Sequence, residues 1–246
     1  MTGSHDARER LIAAAERLLT RSGPGSVSMD AVAAAAGAGK MSAYRHFASK
    51  EDLVAAALER HNPRHVRWLV GARLPAEPGD AVGDGPTDPA PADPGHSDPA
   101  EAILSVFDRL ESAAVSEPFR GCPFVDAALA APETDDRPGR IAWRHKQQVT
   151  RELAGLAARA GLSEPGELGA TVALVIDGAA VQAALAPDPA SRQQIVRRAR
   201  RAAEVLLAVA ARRAPGEWAG LGERAELGEG PGPEGSGERV WLGGQS

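Results

Sequence analysis

The chain has 246 residues, of which 43% are hydrophobic and 25% charged, proportions typical of a globular protein with one large core or two smaller ones. Its longest nearly uncharged stretch, Leu168 to Ala186, is interrupted by Asp177 and Gln182, so no apolar run reaches the roughly 18–20 residues of a bilayer-spanning helix. We expect this stretch to form a buried helix. The first ten residues lack the apolar segment of a secretion signal, and the single Cys excludes an internal disulfide. A cytoplasmic location is therefore expected.

The formal net charge of −5 is distributed unevenly along the chain. Residues 1–73 contain 11 Lys or Arg against 7 Asp or Glu, whereas residues 74–100 contain six acidic residues and no Lys or Arg. Residues 214–246 contain two Arg and six Glu. The acidic character thus belongs mainly to a central and a C-terminal segment, and the basic N-terminal segment is where we expect a polyanion to bind.

Two segments have too little apolar surface to offset the entropy cost of ordering the chain. Pro75 to Pro99 contains seven Pro, four Gly and five Asp, and the 33 residues from Ala214 onward include ten Gly. We predict a flexible acidic loop over 75–99 and a disordered tail over 214–246. Residues 1–5 are also expected to be disordered.

Elsewhere the apolar residues recur at helical spacing and no long stretch alternates with period two, so we predict an all-α fold of about nine helices. In the N-terminal part, Asp6 and Glu9 form a capping-box pair, as do Ser49 and Asp52, and Ser28 is a further N-cap residue. The predicted N-terminal helices cover about 6–22, 28–36, 40–47 and 49–73.

The C-terminal part carries similar helix signals. Asp98 precedes a Pro at the first helical position, Gly161 ends a helix, and Ser191 with Gln194 forms a third capping box. The predicted C-terminal helices begin near Pro99, Pro123, Pro138, Glu167 and Ser191.

Residues 28–47 carry the strongest functional signal, because a helix, a Gly-containing turn and a second helix form the unit that inserts into a DNA major groove. Small alanines allow the two helices to approach closely, and Gly37 supplies the turn. The second helix offers donors for phosphates and base edges, namely Lys40, Ser42, Tyr44, Arg45 and His46. Burying so many polar side chains would be costly. We interpret the unit as a DNA-binding helix-turn-helix, with a purely structural helical hairpin as the alternative.

The run VSMDAVAAAAGAGKMSAYRHFASKEDLV resembles the N-terminal DNA-binding domain of the TetR family of bacterial transcriptional repressors. The positions that match the family pattern are Ser28, Val32, Ala33, Ala36, Gly37, Lys40, Tyr44, His46, Phe47, Ser49, Lys50, Glu51 and Leu53. The departures are Ala38, Gly39, Met41, Ser42 and Ala43. Gly39 removes a hydroxyl that would cap the recognition helix.

The resemblance implies a homodimer that binds a palindromic operator in double-stranded DNA and dissociates when a small molecule enters the C-terminal domain. Phosphates bind at helix N-termini and Arg bridges two acceptors of guanine, in agreement with the contacts that the family implies. The implied DNA-binding residues are Ser28, Lys40, Ser42, Tyr44, Arg45, His46 and Lys50. More weakly, Arg120 to Ala130 resembles the regulatory domain of one TetR subgroup. The helices over 167–186 and 191–213 are candidates for the dimer interface.

Apolar or amphipathic side chains expected to surround the interior of the C-terminal bundle are candidates for a ligand pocket. These residues are Trp68, Phe107, Cys122, Phe124, Trp143 and Gln182. For each of them, simple packing in the core is the alternative. The Arg-rich run 197–201 is interpreted as the solvated face of the last helix rather than as a nucleic-acid patch.

His61 and His65 lie four residues apart on one predicted helix, a spacing that suits a chelated metal ion. No third ligand is indicated nearby in the sequence, and Pro63, where we expect a kink, disturbs the intervening turn. We therefore predict no metal and no cofactor. Cys122 stands at a predicted helix start, where thiols become reactive, but a small packed residue is the preferred interpretation over a redox switch.

We divide the chain into a DNA-binding domain over 6–53 and a ligand-binding and dimerisation domain over 54–213. No serine-hydrolase, zinc-protease or phosphate-loop motif is present, so an enzyme is not expected. The predicted function is that of a sequence-specific transcriptional regulator, a repressor released by a small molecule. The alternatives are an activator of the same family, or a helical binding protein or enzyme with a vestigial DNA-binding unit.

Overall fold

A computed structural model of the chain describes residues 2–71, 98–116, 118–132 and 134–212. Within these ranges the regular structure consists of nine α-helices and one short 3₁₀ turn, Pro24–Ser26, which confirms the predicted all-α fold. The predicted tail, and all of the predicted loop except its last two residues, lie outside the described residues.

The helices are α1 (Thr2–Ser22), α2 (Met29–Ala35), α3 (Lys40–His46), α4 (Lys50–Val70), α5 (Pro99–Val115), α6 (Pro123–Leu129), α7 (Arg137–Arg159), α8 (Pro165–Leu185) and α9 (Pro189–Arg212).

Three of the predicted N-caps are present. The Ser28 hydroxyl accepts the N–H of the third residue of α2 at 3.1 Å. Ser49 and Asp52 form both bonds of a capping box at the start of α4, each 3.1 Å long. The Asp98 carboxylate accepts the backbone N–H of Ala100 at 2.9 Å. These caps satisfy backbone donors that the first turn of a helix leaves unpaired.

Two predicted capping boxes are wrong. Helix α1 begins before Asp6, whose carboxylate instead pairs with Arg10 one turn further on. Helix α9 begins at Pro189, and Asp188 rather than Ser191 caps it, accepting the Ser191 backbone N–H at 2.9 Å. A Pro at the first helical position favours this earlier start because its fixed φ is already helical.

Two hydrophobic cores organise the chain. The head core contains buried residues of α1 to α4 together with Phe124 of α6 and Ile141 of α7. The body core contains buried residues of α4, α5, α7, α8 and α9. Since α6 and α7 contribute side chains to the head core, the N-terminal helices pack directly on the C-terminal ones.

Helix α4 belongs to both cores. Its first half places Leu53 and Leu58 in the head core, and its second half places Val66 in the body core. The helix continues without interruption through Pro63. The domain boundary predicted after residue 53 therefore falls inside a single helix whose early turns pack with the head.

Helix α8 is the stretch expected from its apolar sequence to be a buried helix. It is long and apolar enough to cross a membrane by length and composition alone, with a mean hydropathy of 1.7, but Val172 and Ile176 are buried in the body core. Gly169 faces α7 so closely that an added Cβ would lie 2.6 Å from the backbone nitrogen of Ala154. Helix α8 is therefore a core helix that packs tightly against α7.

The turn between α2 and α3 contains two glycines with different backbone conformations, and replacing each of them with Ser tests which one the turn requires. Gly37 has φ +61°, in the left-handed region, whereas Gly39 has φ −71° and is the N-cap of α3 without a side-chain cap. An added Cβ meets nothing within 4 Å at either position. Gly37→Ser should lower the free energy of unfolding by about 1 kcal/mol through backbone strain. Gly39→Ser should raise it by a few tenths of a kcal/mol by adding a cap.

Urea unfolding midpoints at an unchanged m-value measure both effects. Equal stability of Gly37→Ser and the unsubstituted protein would show that the turn does not require a left-handed residue.

Candidate functional site

Helix α3 presents polar side chains to solvent from a buried anchor. Ala43 is fully buried against the head core. The side chains of Lys40, Met41, Tyr44 and Arg45 are exposed, and those of Ser42 and His46 are half-buried. One face of this seven-residue helix is thus fixed to the protein, and the other is available to a partner.

The turn before α3 holds the helix in place. Gly37 adopts the left-handed conformation, and the Ala38 N–H donates to the Ala33 carbonyl at 2.9 Å. After α3, the buried Phe47 ring lies 5.2 Å from the guanidinium carbon of Arg8 on α1. Gly39 accepts backbone bonds from Ser42 and Ala43 but offers no side-chain cap. The departure from the family pattern at residue 39 therefore leaves α3 without one N-terminal hydrogen bond.

Two further predicted DNA-binding residues lie at the starts of α2 and α4. Ser28 is exposed at the start of α2, and Lys50 is half-buried as the first residue of α4. Lys40 is exposed, and its Nζ donates to Asp30 Oδ2 at 2.9 Å. This hydrogen bond, together with the charge of Asp30, raises the pKa of Lys40. A phosphate would have to compete with Asp30 for that ammonium group.

A buried carboxylate joins the head to α4. Glu16 of α1 is 8% exposed, and its oxygens face Arg60 Nε at 3.3 Å, His61 Nδ1 at 3.1 Å and the guanidinium of Arg64. Burial alone would raise the pKa of Glu16, but the hydrogen bonds and charges of His61 and Arg64 outweigh it and lower that pKa. Glu16 therefore stays ionised among three basic side chains of one helix.

An imidazole-rich cluster lies beyond this carboxylate, between α4, α6 and α7. The ring centroids of His61 and His65 are 5.2 Å apart, and the Phe124 ring stacks on His145 at 3.9 Å with an interplanar angle of 10°. His65 also approaches His145, with 5.1 Å between ring centroids. The sequence suggested only the pair His61 and His65, because residues distant along the chain supply the other members.

The cluster contains possible metal ligands. Among the described residues, His65, Cys122 and His145 each offer one ligand atom, and these atoms lie within 4.8 Å of one another. Burial, followed by the positive charges of neighbouring groups, holds the pKa of His65 well below its usual value. Burial, followed by the charge of Lys146, lowers the pKa of His145 to about 3. Both imidazoles are therefore neutral at pH 7.

Lys146 places a positive charge beside this cluster. Its Nζ donates to the Asp177 carboxylate of α8. Burial opposes the charge of Lys146, but its interactions with Cys122 and Asp177 raise its pKa overall.

The buried members of the predicted ligand pocket are divided between the two cores. Phe107 is fully buried in the body core, and Phe124 is fully buried in the head core. Trp68 packs half-buried against the body core, and Cys122 packs half-buried against the head core. Trp68, Cys122 and Phe124 lie beside His65 in the imidazole-rich cluster.

The other two members face solvent, contrary to the expectation that they surround a bundle interior. Trp143 is 66% exposed, and Gln182 is exposed on α8. Trp143 lines an open groove of about 900 Å³ with Arg140 and a second groove of about 480 Å³ that also reaches His145. Helical spacing identified the buried stripe of α7 but did not assign Trp143 to the opposite face.

The Arg-rich run of α9 contacts acidic residues of α5. Arg197 Nε lies 3.0 Å from Glu111 Oε1, and Arg200 Nε lies 3.1 Å from Asp108 Oδ1. These two guanidinium groups therefore connect α9 to α5 within the body. Their contacts account for the Arg residues at these positions without a nucleic-acid partner.

A short solvent-facing helix, joined through a left-handed Gly turn to a second helix, is the geometry of a DNA-binding helix-turn-helix. The family model described as bacterial regulatory proteins, tetR family, matches residues 11–57. An HTH-type transcriptional regulator from Mycobacterium tuberculosis is 41% identical over 64 residues, which are 26% of this chain and 32% of that protein. The match thus spans about a third of the length of this curated relative.

Solved structures extend the similarity to the C-terminal helices. A tetR-transcriptional regulator from Streptomyces avermitilis is 29% identical with a TM-score of 0.59, covering 80% of this chain and 98% of that one. A TetR-family transcriptional regulator from Streptomyces coelicolor, at 24% identity, shares the fold with a TM-score of 0.62 over 84% of this chain and 96% of that one. Residues 11–57 therefore form a DNA-binding domain of the helix-turn-helix class. This domain is of the TetR family, and the described helices as a whole share the fold of solved TetR-family regulators.

The Glu16 cluster predicts a pH dependence of stability. Because folding lowers the pKa of Glu16 below its usual 4.5, its stabilising contribution is complete above that value and is lost as the pH falls through the lower folded-state pKa. At pH 7, Glu16→Gln should lower the free energy of unfolding by about 2 kcal/mol, since the charge-assisted hydrogen bonds of a buried carboxylate are lost. The variant should also lose stability less steeply below pH 4.5.

The matched control is Glu9→Gln. Glu9 also binds Arg60, at 2.6 Å, but its side chain is 41% exposed, so the expected loss is below about 1 kcal/mol. Urea unfolding between pH 3 and pH 7 compares the two variants, and equal losses would rule out a special role for the buried carboxylate.

Proposed function

We propose that the protein is a homodimeric repressor that binds a palindromic operator through α3 and releases it when a small molecule binds the C-terminal helices. The observation that carries this proposal is the presentation of α3, whose Ala43 is buried while Tyr44 and Arg45 face solvent. An exposed helix with donors on its outer face is the arrangement that reads base edges in a major groove. Its place of action would be the cytoplasm.

Each predicted DNA-binding residue has a role in this proposal. Arg45 would bridge the two acceptors of a guanine, and the half-buried Ser42 and His46 would approach neighbouring bases. The outer residues Ser28, Lys40, Tyr44 and Lys50 would contact phosphates, which position the protein without reading sequence.

An exposed apolar stripe supports the homodimer. Helix α8 exposes Leu174, Val181 and Leu185, which recur on one face, and the neighbouring α9 exposes Val205 and Val209. Exposed large apolar side chains that recur in this way favour an interaction site. An added Cβ at Gly178, between Leu174 and Val181 along the helix, would meet nothing within 4 Å, so a second copy could approach closely there. The resulting dimer would hold two α3 helices about 34–36 Å apart, one turn of DNA.

The effector would act at the junction of α4, α6 and α7. Trp68, Cys122 and Phe124 approach His65 there, with ring centroids 5.4 Å from His65 for Trp68 and 5.5 Å for Phe124. Helix α4 runs from this junction into the head core. A ligand that binds better to one placement of α4 would therefore favour one spacing of the two heads.

Substitution of Arg45 tests base readout. Arg45→Ala should weaken operator binding by about 10- to 100-fold, the equivalent of one bidentate base contact, with a much smaller effect on random DNA. The operator is obtained by selecting genomic fragments with the purified protein at about 150 mM salt, in the range where specific binding is retained. Fluorescence anisotropy then gives the affinities.

Two comparison variants sharpen this test. Lys50→Ala should weaken binding to operator and random DNA alike. It should also reduce the slope of log affinity against log salt concentration by about one. Arg144→Ala, which removes an exposed Arg of α7, should leave DNA binding unchanged. Equal operator affinity of Arg45→Ala and Arg144→Ala would refute the assigned reading of bases by α3.

Substitution within the apolar stripe tests the dimer. Leu174→Glu introduces a charge at a side chain that is 72% exposed, so the fold should tolerate it while a dimer interface would not. Light scattering should then show a monomer and operator binding should fall sharply. Leu129→Glu, at an 83% exposed position on α6, is the control that should remain dimeric. A monomeric unsubstituted protein would contradict the proposal.

A further inference from the structure

Three helices bring together the side chains of a compact nitrogen and sulfur cluster. His65 lies on α4, Cys122 directly precedes α6, and His145 lies on α7; their ligand atoms are within 4.8 Å of one another. We propose that His65, Cys122 and His145 bind one transition-metal ion that prefers imidazole and thiolate ligands, either Zn²⁺ or Cu⁺.

The hydrogen bonds of His145 indicate which of its ring nitrogens is available to an ion. Its Nδ1 lies 2.7 Å from Asn62 Oδ1, and the amide nitrogen of Asn62 donates to Gln148 Oε1 at 2.9 Å. The second bond orients Asn62 so that its oxygen faces the ring. Nδ1 therefore carries the proton, and Nε2 carries the lone pair.

The lone pair of His145 has no hydrogen-bonding partner among the residues that the structure describes. The side chain is 1% exposed, and Nε2 is buried without a donor to satisfy it. Buried polar atoms almost always have a partner, and an exception requires an explanation. A metal ion bound at Nε2 would be that partner.

The surroundings match those of known metal-binding histidines. A ligating imidazole usually donates its other N–H to an oxygen, which fixes the tautomer and the ring orientation, and Asn62 holds His145 in this way. Phe124 stacks on the same ring at 3.9 Å and fixes its plane. The ring is thus prepared for coordination before any ion arrives.

The charges of the cluster also favour a cation. Metal ions bind cysteine as the thiolate, so two neutral imidazoles and Cys122 would carry one negative charge. Asp177 shares the charge of Lys146 through their hydrogen bond, so Lys146 offsets the thiolate only in part. A monovalent soft ion would cancel it, and a divalent ion would exceed it by one.

The size and the ligand types select the class of metal. Zinc bonds of about 2.0–2.3 Å place tetrahedral ligand atoms about 3.3–3.7 Å apart, so side-chain movements of about 1 Å would close the cluster around an ion. His65 and Cys122 are half-buried, which leaves a side open for entry and for a fourth ligand. Mg²⁺ and Ca²⁺ prefer oxygen ligands, which the cluster does not offer.

His61 is not one of the ligands in this proposal. Its Nδ1 lies 3.1 Å from Glu16, and its place in the structure is between the buried carboxylate and the cluster. This assignment differs from the pairing of His61 with His65 that helical spacing suggests, and the difference can be tested.

Titration of the metal-free, full-length protein with Co²⁺, a spectroscopic substitute for Zn²⁺, tests the site. We expect one ion per chain and a cobalt–thiolate charge-transfer band that Zn²⁺ abolishes by displacing the cobalt. Cys122→Ser should remove the band. His65→Gln and His145→Gln should each weaken metal binding at least about 100-fold, because loss of a residue that only supports a ligand already weakens metal binding by up to about 100-fold. His61→Gln should bind as the unsubstituted protein does.

A second measurement needs no variant and so does not depend on the folding of one. One equivalent of Zn²⁺ should slow alkylation of Cys122, the only Cys of the chain, at least tenfold, and a chelator should restore the rate. The same protection by Cu⁺ under anaerobic conditions, in competition with Zn²⁺, identifies the preferred ion.

The proposal fails if neither ion protects the thiol and no thiolate band appears. It also fails if binding persists undiminished in both Cys122→Ser and His145→Gln, which would place the ion elsewhere on the surface. None of these measurements involves DNA, so their outcome is independent of operator binding and repression.

Discussion

The buried carboxylate of Glu16 fixes how α1 lies on α4, and the arrangement of the head depends on that contact. Arg60, His61 and Arg64 occupy little more than one turn of α4 and converge on this one side chain. A shift of α1 along α4 would leave the carboxylate buried without its partners, at a cost of several kcal/mol. Helices α2 and α3 pack on α1, so the direction in which α3 faces solvent follows from the same contact.

Local signals in the sequence predicted most of the fold. Caps at Ser28, Ser49 and Asp98 act within one helical turn, so their sequence pattern and their hydrogen bonds coincide. The helix-turn-helix was predicted for the same reason, since a left-handed Gly and a helix with small residues on one face are short-range features. The errors at Asp6 and Ser191 arose where a stronger neighbouring signal extended the helix.

The contents of the candidate sites in the C-terminal part could not be predicted in the same way. His65, Cys122 and His145 come from three helices, and only packing brings their ligand atoms within 4.8 Å. Helical periodicity separates buried from exposed faces where a helix has one apolar stripe. It fails for Gln182 because α8 is apolar on almost every side and has no single buried stripe. It also fails for Trp143, because this large aromatic residue lies on the solvent side of α7.

The unbroken course of α4 has a consequence for recombination between related proteins. A helix advances 1.5 Å and turns about 100° per residue, so one residue inserted between Leu58 and Val66 would rotate the first three helices by about that angle relative to the rest of the chain. Such a chimera would present α3 in a new direction and would separate the head core from Phe124 and Ile141, which pack in it. N-terminal helices can therefore be exchanged among such proteins only if the number of α4 residues between the two cores is kept. Insertions or deletions in this segment should have lengths close to a whole number of helical turns.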